Sequence, residues 1–211
     1  MVLESSHERI YPLIIRPYRE TDEQGWLRCS VLGFLNTAYF DSVFRHKPRY
    51  DHPAIELVTE NDGKLVGAID VECEESPRTV CTVCADDSHS ALGGMIWHVA
   101  VHPDYQRRGI GGQLLREAQR RAAGRGIQCF EAWTRDDAPT LRWYESYGFE
   151  WVSAYLHVYL HGKEEVGQAV QSTVPGLTPV QVFAHYTGAD RDSIRDRFER
   201  VHECNCYRLR F

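Results

Sequence analysis

One segment of this sequence, from Met95 to Gly124, constrains the fold more than any other. Met95–Val101 is an apolar run typical of a central β-strand, and Gly111–Gly124 has the apolar spacing of a helix. Three glycines lie between or at the start of these elements: Gly109, Gly111 and Gly112. They remove side chains that would keep a ligand away from the backbone, just where a helix begins with N–H groups that have no partner within it. The segment therefore predicts an anion-binding site, of the kind that holds a pyrophosphate.

Local charge favours the same site. Six arginines and two acids lie between Asp104 and Gly126, a local balance of +4, whereas the whole chain carries −6. A solvated basic helix would have the same composition, so the charge supports the site only together with the glycines. The net charge of the chain argues against nucleic acid as a partner of the whole protein.

Two other phosphate-binding motifs compete for this segment. A P-loop is excluded because no Gly-Lys-Ser/Thr follows the glycines. A dinucleotide-binding turn remains an alternative, since Gly109-x-Gly111 precedes a helix and Glu131 lies 20 residues after Gly111. Against it, the position of the third glycine is Leu114, and seven residues separate Val101 from Gly109.

The remaining elements predict a mixed α/β (α+β) domain. An Asp62-Gly63 turn between two apolar runs is typical of a β-hairpin. A short helix is expected around Asp41 and an irregular loop from Cys73 to Gly94. Further expected elements are strands at Ile10–Ile15, Ile127–Trp133 and Trp151–Leu160, helices from Thr21, at Asp137–Tyr147 and at Asp190–Val201, and a last strand ending at Phe211.

The seven cysteines are scattered, which predicts reduced thiols, several of them in the core. Cys81-x-x-Cys84 could bind a metal with a second pair, but Cys204-x-Cys206 with His202 has a spacing that suits no common zinc module. We therefore expect no metal. The sequence has no signal-peptide pattern and no apolar run long enough to cross a membrane, so a cytoplasmic location without membrane association is expected.

Two motifs, taken together, resemble the GNAT superfamily of acyl-CoA N-acetyltransferases. His102-Pro-x-Tyr105 followed by Gln106-x-x-Gly109-x-Gly111 is similar to the acyl-CoA-binding signature of that family. Downstream, Trp143-Tyr-Glu-Ser-Tyr-Gly-Phe149 resembles its second signature. The resemblance covers about Leu13 to Leu160. It implies a GNAT-like central mixed, mostly antiparallel sheet flanked by helices, in a single domain over residues 10–211, with residues 162–202 as an insertion before the last strand.

The resemblance also implies roles for individual residues. The backbone N–H groups of residues 108–112 would hold the pyrophosphate of acetyl-CoA, and the strand edge at Val99 and Val101 would pair with its pantetheine arm. The Val99 N–H would stabilise the oxyanion, and Tyr144 would protonate the departing thiolate. Asp137 stands where many members have an asparagine, so it could instead be a helix N-cap. The implied cofactor-binding residues are Val99, Val101, Gln106, Arg107, Arg108, Gly109, Ile110, Gly111, Gly112, Asp137 and Tyr144.

The general base is not fixed by the motifs, because Met95 occupies the position of the strand glutamate that some members use. Glu131 is the favoured catalytic candidate, with a water chain as an alternative. The other titratable candidates are His98, Asp70 and Glu72, and alternation along the strand favours a core or surface role for His98. Core packing is the favoured role of three tryptophans that could otherwise line the acceptor pocket, namely Trp97, Trp133 and Trp143.

The expected function is transfer of an acetyl group from acetyl-CoA to a primary amine by direct attack in a ternary complex. The acceptor would be a small-molecule or peptide amine. Within residues 162–202, the helix at Asp190–Val201 would pack near the acceptor side or form the contact of a homodimer. The alternative is a non-catalytic acyl-CoA-binding sensor or partner-binding module, which would keep the anion site but transfer no acetyl group.

Overall fold

The computed structural model describes residues 12–85 and 91–211. Within it the chain divides into two compact units. The first runs as far as Phe130 and includes Phe211, and the second comprises Glu131–Arg210. One strand, Ile127–Thr134, passes from the first unit into the second.

The first unit is a sheet with a helix on each face. Its strands follow the chain in the order β1-β2-β3-β4-β5, and β1 to β4 pair antiparallel. The helix α1 contributes Trp26 to a cluster with Val58 and Ala68. The elements are β1 (Ile14–Pro17), α1 (Glu23–Phe34), β2 (Ala54–Asn61), β3 (Lys64–Cys73), β4 (Leu92–Val101), α2 (Ile110–Ala123) and β5 (Ile127–Thr134).

Close packing fixes α2 on the other face of this sheet. A Cβ atom added at Gly67 of β3 would lie 2.8 Å from Cγ2 of Ile110, the first residue of α2. Real Cβ atoms do not approach so closely, so a glycine is required where the start of this helix crosses the strand. This contact positions the N-terminus of α2 above the sheet.

The second unit carries the rest of the sheet, in the order β5-β8-β6-β7. Both β7 and β8 pair antiparallel with β6. Leu156, Val158 and Leu160 point to one face of β6 and form a core with Val166 and Phe198. The elements are α3 (Ala138–Ser146), β6 (Glu150–His161), α4 (Gly162–Gly167), β7 (Gln181–Tyr186), α5 (Arg191–Arg197) and β8 (Arg200–Arg210).

The predicted fold class is confirmed. The structure combines helices with an eight-stranded sheet, and the strands of this sheet pair mostly antiparallel. The predicted hairpin is present, with positive φ angles at both Asp62 (48°) and Gly63 (73°), as a tight turn between twisted strands requires. The single domain over 10–211 and the insertion at 162–202 stay predictions. The first residues of the expected strand Ile10–Ile15 lie outside the described part of the chain.

Several predicted elements differ from the structure. The segment around Asp41 forms successive turns rather than a helix, with Phe40 N–H donating to Thr37 and Ser42 N–H to Tyr39. The helix expected at Asp190–Val201 ends at Arg197, because β8 begins at Arg200 and pairs there with Tyr159. Helix α4 and strand β7 were not expected, since neither short segment has enough periodicity to be recognised alone.

The expectation of reduced cysteines is wrong for one pair, because Cys84 and Cys129 form a disulfide. The two residues are 45 positions apart in the chain, so no local spacing could indicate this pair. In the described residues, no helix combines the length and the apolar character that crossing a bilayer would require.

Candidate active site

The loop that follows β4 is held in a defined shape by its own polar groups. His102 Nδ1 accepts a hydrogen bond from Asp104 N–H, and the Tyr105 N–H donates to the His102 carbonyl at 2.9 Å. The Gln106 side chain reaches back to the Val101 carbonyl at 3.1 Å. These bonds fix how far the chain travels from the end of the strand before the helix starts.

Gly109 sets the start of α2. It occupies the N-cap position with φ 77°, a left-handed conformation that favours glycine. The Gln113 N–H makes the first helical bond to the Gly109 carbonyl at 3.0 Å. The N–H groups of Ile110, Gly111 and Gly112 come before this bond. They belong to the first turn of the helix, whose N–H groups have no acceptor within the helix. This is the backbone arrangement that binds phosphate groups.

The direction of the Val99 and Val101 amides follows from one hydrogen bond. His102 N–H donates to the Val66 carbonyl of β3 at 2.9 Å. Because successive N–H groups of a strand point to opposite sides, those of Val99 and Val101 point away from β3. They therefore point to the side of β4 on which β5 lies.

Positive charge lies around the start of α2. Arg107 and Arg108 are exposed, and the Arg108 guanidinium lies 5.1 Å from the centre of the Tyr105 ring. Further along the helix, Arg120 and Arg121 both donate to Glu117 at 2.8 Å. These ion pairs hold the two arginines along the helix, so the field at the glycine loop comes mainly from the arginines beside it.

In the second unit, Tyr144 is fixed by other aromatic rings. It is only 4% exposed, stacks on Tyr207 with ring centres 5.5 Å apart, and meets the edge of Phe149 at 4.9 Å. Tyr207 in turn donates its hydroxyl to Glu145 at 3.2 Å, and burial raises the pKa of Tyr207 to about 12. The Tyr144 ring therefore has one well-defined position on α3. Asp137 is the N-cap residue of this helix, but its side chain makes no capping hydrogen bond.

The carboxylates considered as bases differ sharply in environment. Glu131 is completely buried and accepts a hydrogen bond from the Trp133 indole at 2.7 Å. Glu72 accepts from the Trp97 indole at 2.6 Å and from the N–H groups of residues 51 and 52. Glu72 therefore anchors the preceding loop. Asp70 is also completely buried, and this burial raises its pKa to about 6.

His98 lies in the core, as one of its predicted roles requires. Its ring packs 4.2 Å from that of Trp26 and 5.1 Å from that of Phe34, and its buried Nε2 has no hydrogen-bond partner among the described residues. Burial lowers the pKa of His98 to about 3. A neutral imidazole with so low a pKa is a weak base, which makes His98 a structural residue.

We expect the His98→Phe variant to become increasingly more stable than the wild type as the pH falls. Below pH 6.5 the unfolded chain binds a proton on His98 that the folded chain does not bind until about pH 3. Between these values the free energy of unfolding of the wild type falls by up to ~1.4 kcal/mol per pH unit relative to the variant. Urea unfolding of both proteins from pH 7 to pH 4.5 measures this difference, in which the opposite effect of nearby Asp70 largely cancels.

A buried cation beside Asp70 was missed at the level of sequence. Lys47 Nζ lies 2.5 Å from Glu56 and 3.1 Å from Asp70, and Tyr50 also donates to Asp70 at 3.1 Å. The ammonium is also about 5 Å from three aromatic ring centres, those of Tyr18, Trp26 and Tyr50. Nothing in the local sequence distinguishes Lys47 from an exposed lysine.

One face of the second unit also gathers aromatic and basic side chains. The rings of His157 on β6 and His185 on β7 stack 4.9 Å apart, and Tyr159 packs on Phe183 in the same register. Arg135 donates to His157 and to the Tyr159 hydroxyl. The alternating pattern of these residues along β6 and β7 is the signal that could have indicated the face. In the first unit, Trp97 is 56% exposed, so the expected core packing is wrong for this residue.

A known protein family matches the segment that carries the glycine loop and Tyr144. The model of the acetyltransferase (GNAT) domain matches residues 53–151. Residues 53–151 are a GNAT acetyltransferase domain. The match includes the glycine loop and Tyr144, so it favours an acetyltransferase over a dinucleotide-binding protein. The dinucleotide-binding fold has a mostly parallel sheet, whereas β1 to β4 pair antiparallel, so that alternative is dropped.

Relatives of this acetyltransferase agree with the assignment. Acetyltransferase ECA0875 of Pectobacterium atrosepticum is 27% identical over 127 residues, which cover 58% of this chain and 77% of the relative. The ribosomal-protein-S18-alanine N-acetyltransferase of Escherichia coli shares the fold, with a TM-score of 0.54, 15% identity and 94% of each chain covered. The PaiA N-acetyltransferase of Thermoplasma acidophilum, solved in complex with coenzyme A, has a TM-score of 0.50 at 14% identity, covering 67% of this chain and 91% of that one. The matched segment is thus an acyltransferase domain.

Proposed function

We propose that this acetyltransferase moves the acetyl group of acetyl-CoA directly to a primary amine in a ternary complex. The observation that carries the proposal is the glycine start of α2: Gly109 at φ 77° begins a helix whose first N–H groups precede the first helical bond. The pyrophosphate would bind there, with Arg107 and Arg108 beside it. The Val99 and Val101 amides, which point away from β3, would pair with the pantetheine arm and leave the Val99 N–H for the thioester oxygen.

In this proposal the chemistry needs few protein groups. The amine attacks the thioester carbon once both are held about 3 Å apart, and most of the rate comes from this positioning. Tyr144 gives a proton to the departing thiolate. Glu131 accepts the proton of the amine, through water because its carboxylate is buried against Trp133. The acceptor would be a small-molecule or peptide amine, and a cytoplasmic location remains our prediction from the sequence.

The experiment that tests the function measures release of free CoA from acetyl-CoA over a panel of amines. The panel contains polyamines, aminoglycosides, lysine peptides and peptides with free N-termini. Acetylated product in step with CoA release supports the proposal. Tight binding of acetyl-CoA with no transfer to any amine would instead support a sensor.

We expect Gly111→Val to weaken acetyl-CoA binding by about 10- to 100-fold, because the β-branched side chain keeps the pyrophosphate from the backbone amides. Such a change corresponds to about 1.4 to 2.8 kcal/mol, the size of one lost hydrogen bond to a charged group. Isothermal titration calorimetry measures the affinity. Gly124→Val, at the other end of the same helix where the backbone has an ordinary φ of −64°, is the matched control and should bind normally. Equal affinity of both variants would place the pyrophosphate elsewhere.

A further inference from the structure

Three cysteine side chains meet in the first unit, away from the glycine loop. Cys84 Sγ is bonded to Cys129 Sγ, and Cys81 Sγ lies within 4.8 Å of Cys84 Sγ. Each of the three residues is at most 2% exposed. They come from two separate segments, the loop after β3 and strand β5, so the folded chain and not the local sequence assembles them.

The loop that carries Cys81 and Cys84 is built around a buried carboxylate. Glu74 accepts the backbone N–H of Val80 at 3.1 Å, of Cys81 at 2.8 Å and of Gly93 at 2.8 Å. Glu74 is 4% exposed, and three amide donors satisfy its charge. This carboxylate ties the cysteine loop to β4 and gives Cys81 a fixed place.

The packing against β4 leaves no freedom at the point of contact. A Cβ atom at Gly93 would lie 2.6 Å from Cβ of Cys84 and 2.8 Å from Sγ of Cys81. Only glycine permits both cysteines to lie on the strand at this position. The side chains of Cys81 and Cys84 are thus held against the sheet, on the side where Cys129 lies.

We propose that Cys81, Cys84 and Cys129 together bind one zinc ion when they are reduced, and that the Cys84–Cys129 disulfide is the oxidised form of this site. Thiolates bind zinc at about 2.3 Å, so two sulfur ligands of a tetrahedral site lie about 3.8 Å apart. Cys84 Sγ lies within 4.8 Å of Cys81 Sγ and is bonded to Cys129 Sγ, so reduction of the Cys84–Cys129 bond would let these sulfurs separate to that spacing. The spacing Cys81-x-x-Cys84 is typical of zinc ligands, and a fourth position remains for an oxygen or nitrogen ligand.

The two forms are related by a balanced exchange. A small-molecule disulfide takes two electrons from the Cys84 and Cys129 thiolates and becomes two thiolates. The Cys84–Cys129 bond forms, the Zn²⁺ ion is released, and Cys81 takes up a proton. A dithiol reductant reverses the reaction by returning two electrons and two protons to the disulfide, and zinc then displaces the thiol protons.

The test uses the full chain, kept reduced and purified without chelators. We expect elemental analysis to find about one zinc ion per chain. Adding oxidised glutathione should release this zinc to a chromogenic chelator, and peptide mapping should then show the Cys84–Cys129 disulfide. Zinc content near zero in reduced protein that has been dialysed against Zn²⁺ would overturn the proposal.

Variants separate a built site from adventitious metal. Cys81→Ala, Cys84→Ala and Cys129→Ala each remove a proposed ligand. Each should weaken zinc binding at least about 10-fold, since loss of even an outer partner of a metal ligand has an effect of this size. Cys73→Ala is the matched control: Cys73 is buried but pairs with Gly94, so it lies on the face of the sheet opposite Gly93, and its loss should leave zinc bound. Zinc content unaffected by all three variants would overturn the proposal.

If the ligand variants do not fold, cobalt binding to the wild type decides. Reduced protein titrated with Co²⁺ should develop the intense visible bands of a tetrahedral site together with thiolate-to-cobalt charge transfer. Weak bands typical of octahedral oxygen ligands would overturn the proposal. Because the zinc and cobalt readouts do not measure acetyl transfer, this test can fail without affecting the proposed function.

Discussion

Replacing Tyr144 by phenylalanine is expected to lower the turnover number about 100-fold while changing the affinity for acetyl-CoA less than about twofold. A positioned general acid contributes roughly this factor or more, and the variant removes only the hydroxyl. The phenyl ring can keep the stack on Tyr207 and the edge contact with Phe149, so the fold of α3 is preserved. Steady-state kinetics with a good amine acceptor and calorimetry with acetyl-CoA measure the two quantities.

Tyr147→Phe is the matched control for this substitution. Tyr147 follows the same helix and packs on Trp143 with ring centres 5.0 Å apart, but it has no role in the proposed chemistry. Its turnover should equal that of the wild type. Full activity of Tyr144→Phe would remove the proton-donor role, and an equal loss in both variants would indicate a structural effect on α3.

The second large effect concerns stability. Lys47→Met is expected to lower the free energy of unfolding by about 3 to 5 kcal/mol, because it leaves buried charge without its partner. Asp70 is completely buried and Lys47 lies 3.1 Å from it, while Glu56 retains some exposure to water. The double variant Lys47→Met/Asp70→Asn should recover at least about 1 kcal/mol relative to the sum of the single changes, since residues in contact are not additive.

The loss caused by Lys47→Met should also depend on pH. Burial already raises the pKa of Asp70 to about 6 and Lys47 opposes this shift, so removing the lysine raises the pKa further. Asp70 of the variant therefore binds its proton at a higher pH than Asp70 of the wild type, so the variant should approach the wild type as the pH falls towards 6 and change little relative to it below that value. Urea unfolding at pH 7.5 and pH 5 measures the change. Lys64→Met, on the exposed end of β3, should stay within about 0.5 kcal/mol; a loss equally small for Lys47→Met would show that the buried pair contributes little.

The parts of the site that were predictable are those encoded locally. Gly109 begins the helix that follows strand β4, and its left-handed conformation favours glycine. The path of the loop from Val101 to Gly112 therefore follows from the preferences of its own residues. The Asp62-Gly63 turn is the same kind of case, because a two-residue hairpin needs positive φ angles at both positions. Tyr144 was indicated by its motif, and its role as a proton donor stays a prediction.

The parts that were not predictable depend on which distant segments meet. Helix α5 stops early because β8 pairs with β6, and this pairing outweighs the helical spacing of Ile194 and Phe198. Trp97 was expected in the core, yet it lies on the exposed side of β4 with its indole bound to Glu72. Strand alternation gives two faces but does not say which face a neighbouring helix will cover.

The sequence by itself therefore determined the backbone of the glycine loop that we propose to bind the pyrophosphate, since φ preferences and helix-end amides act over a few neighbouring residues. Only the tertiary structure decided the surroundings of the ionisable and sulfur-containing side chains. It placed Lys47 between Glu56 and Asp70, buried His98 between Trp26 and Phe34, and brought Cys129 to Cys84. Burial and long-range contact set the charge state and reactivity of these groups, and neither is written in the residues that flank them.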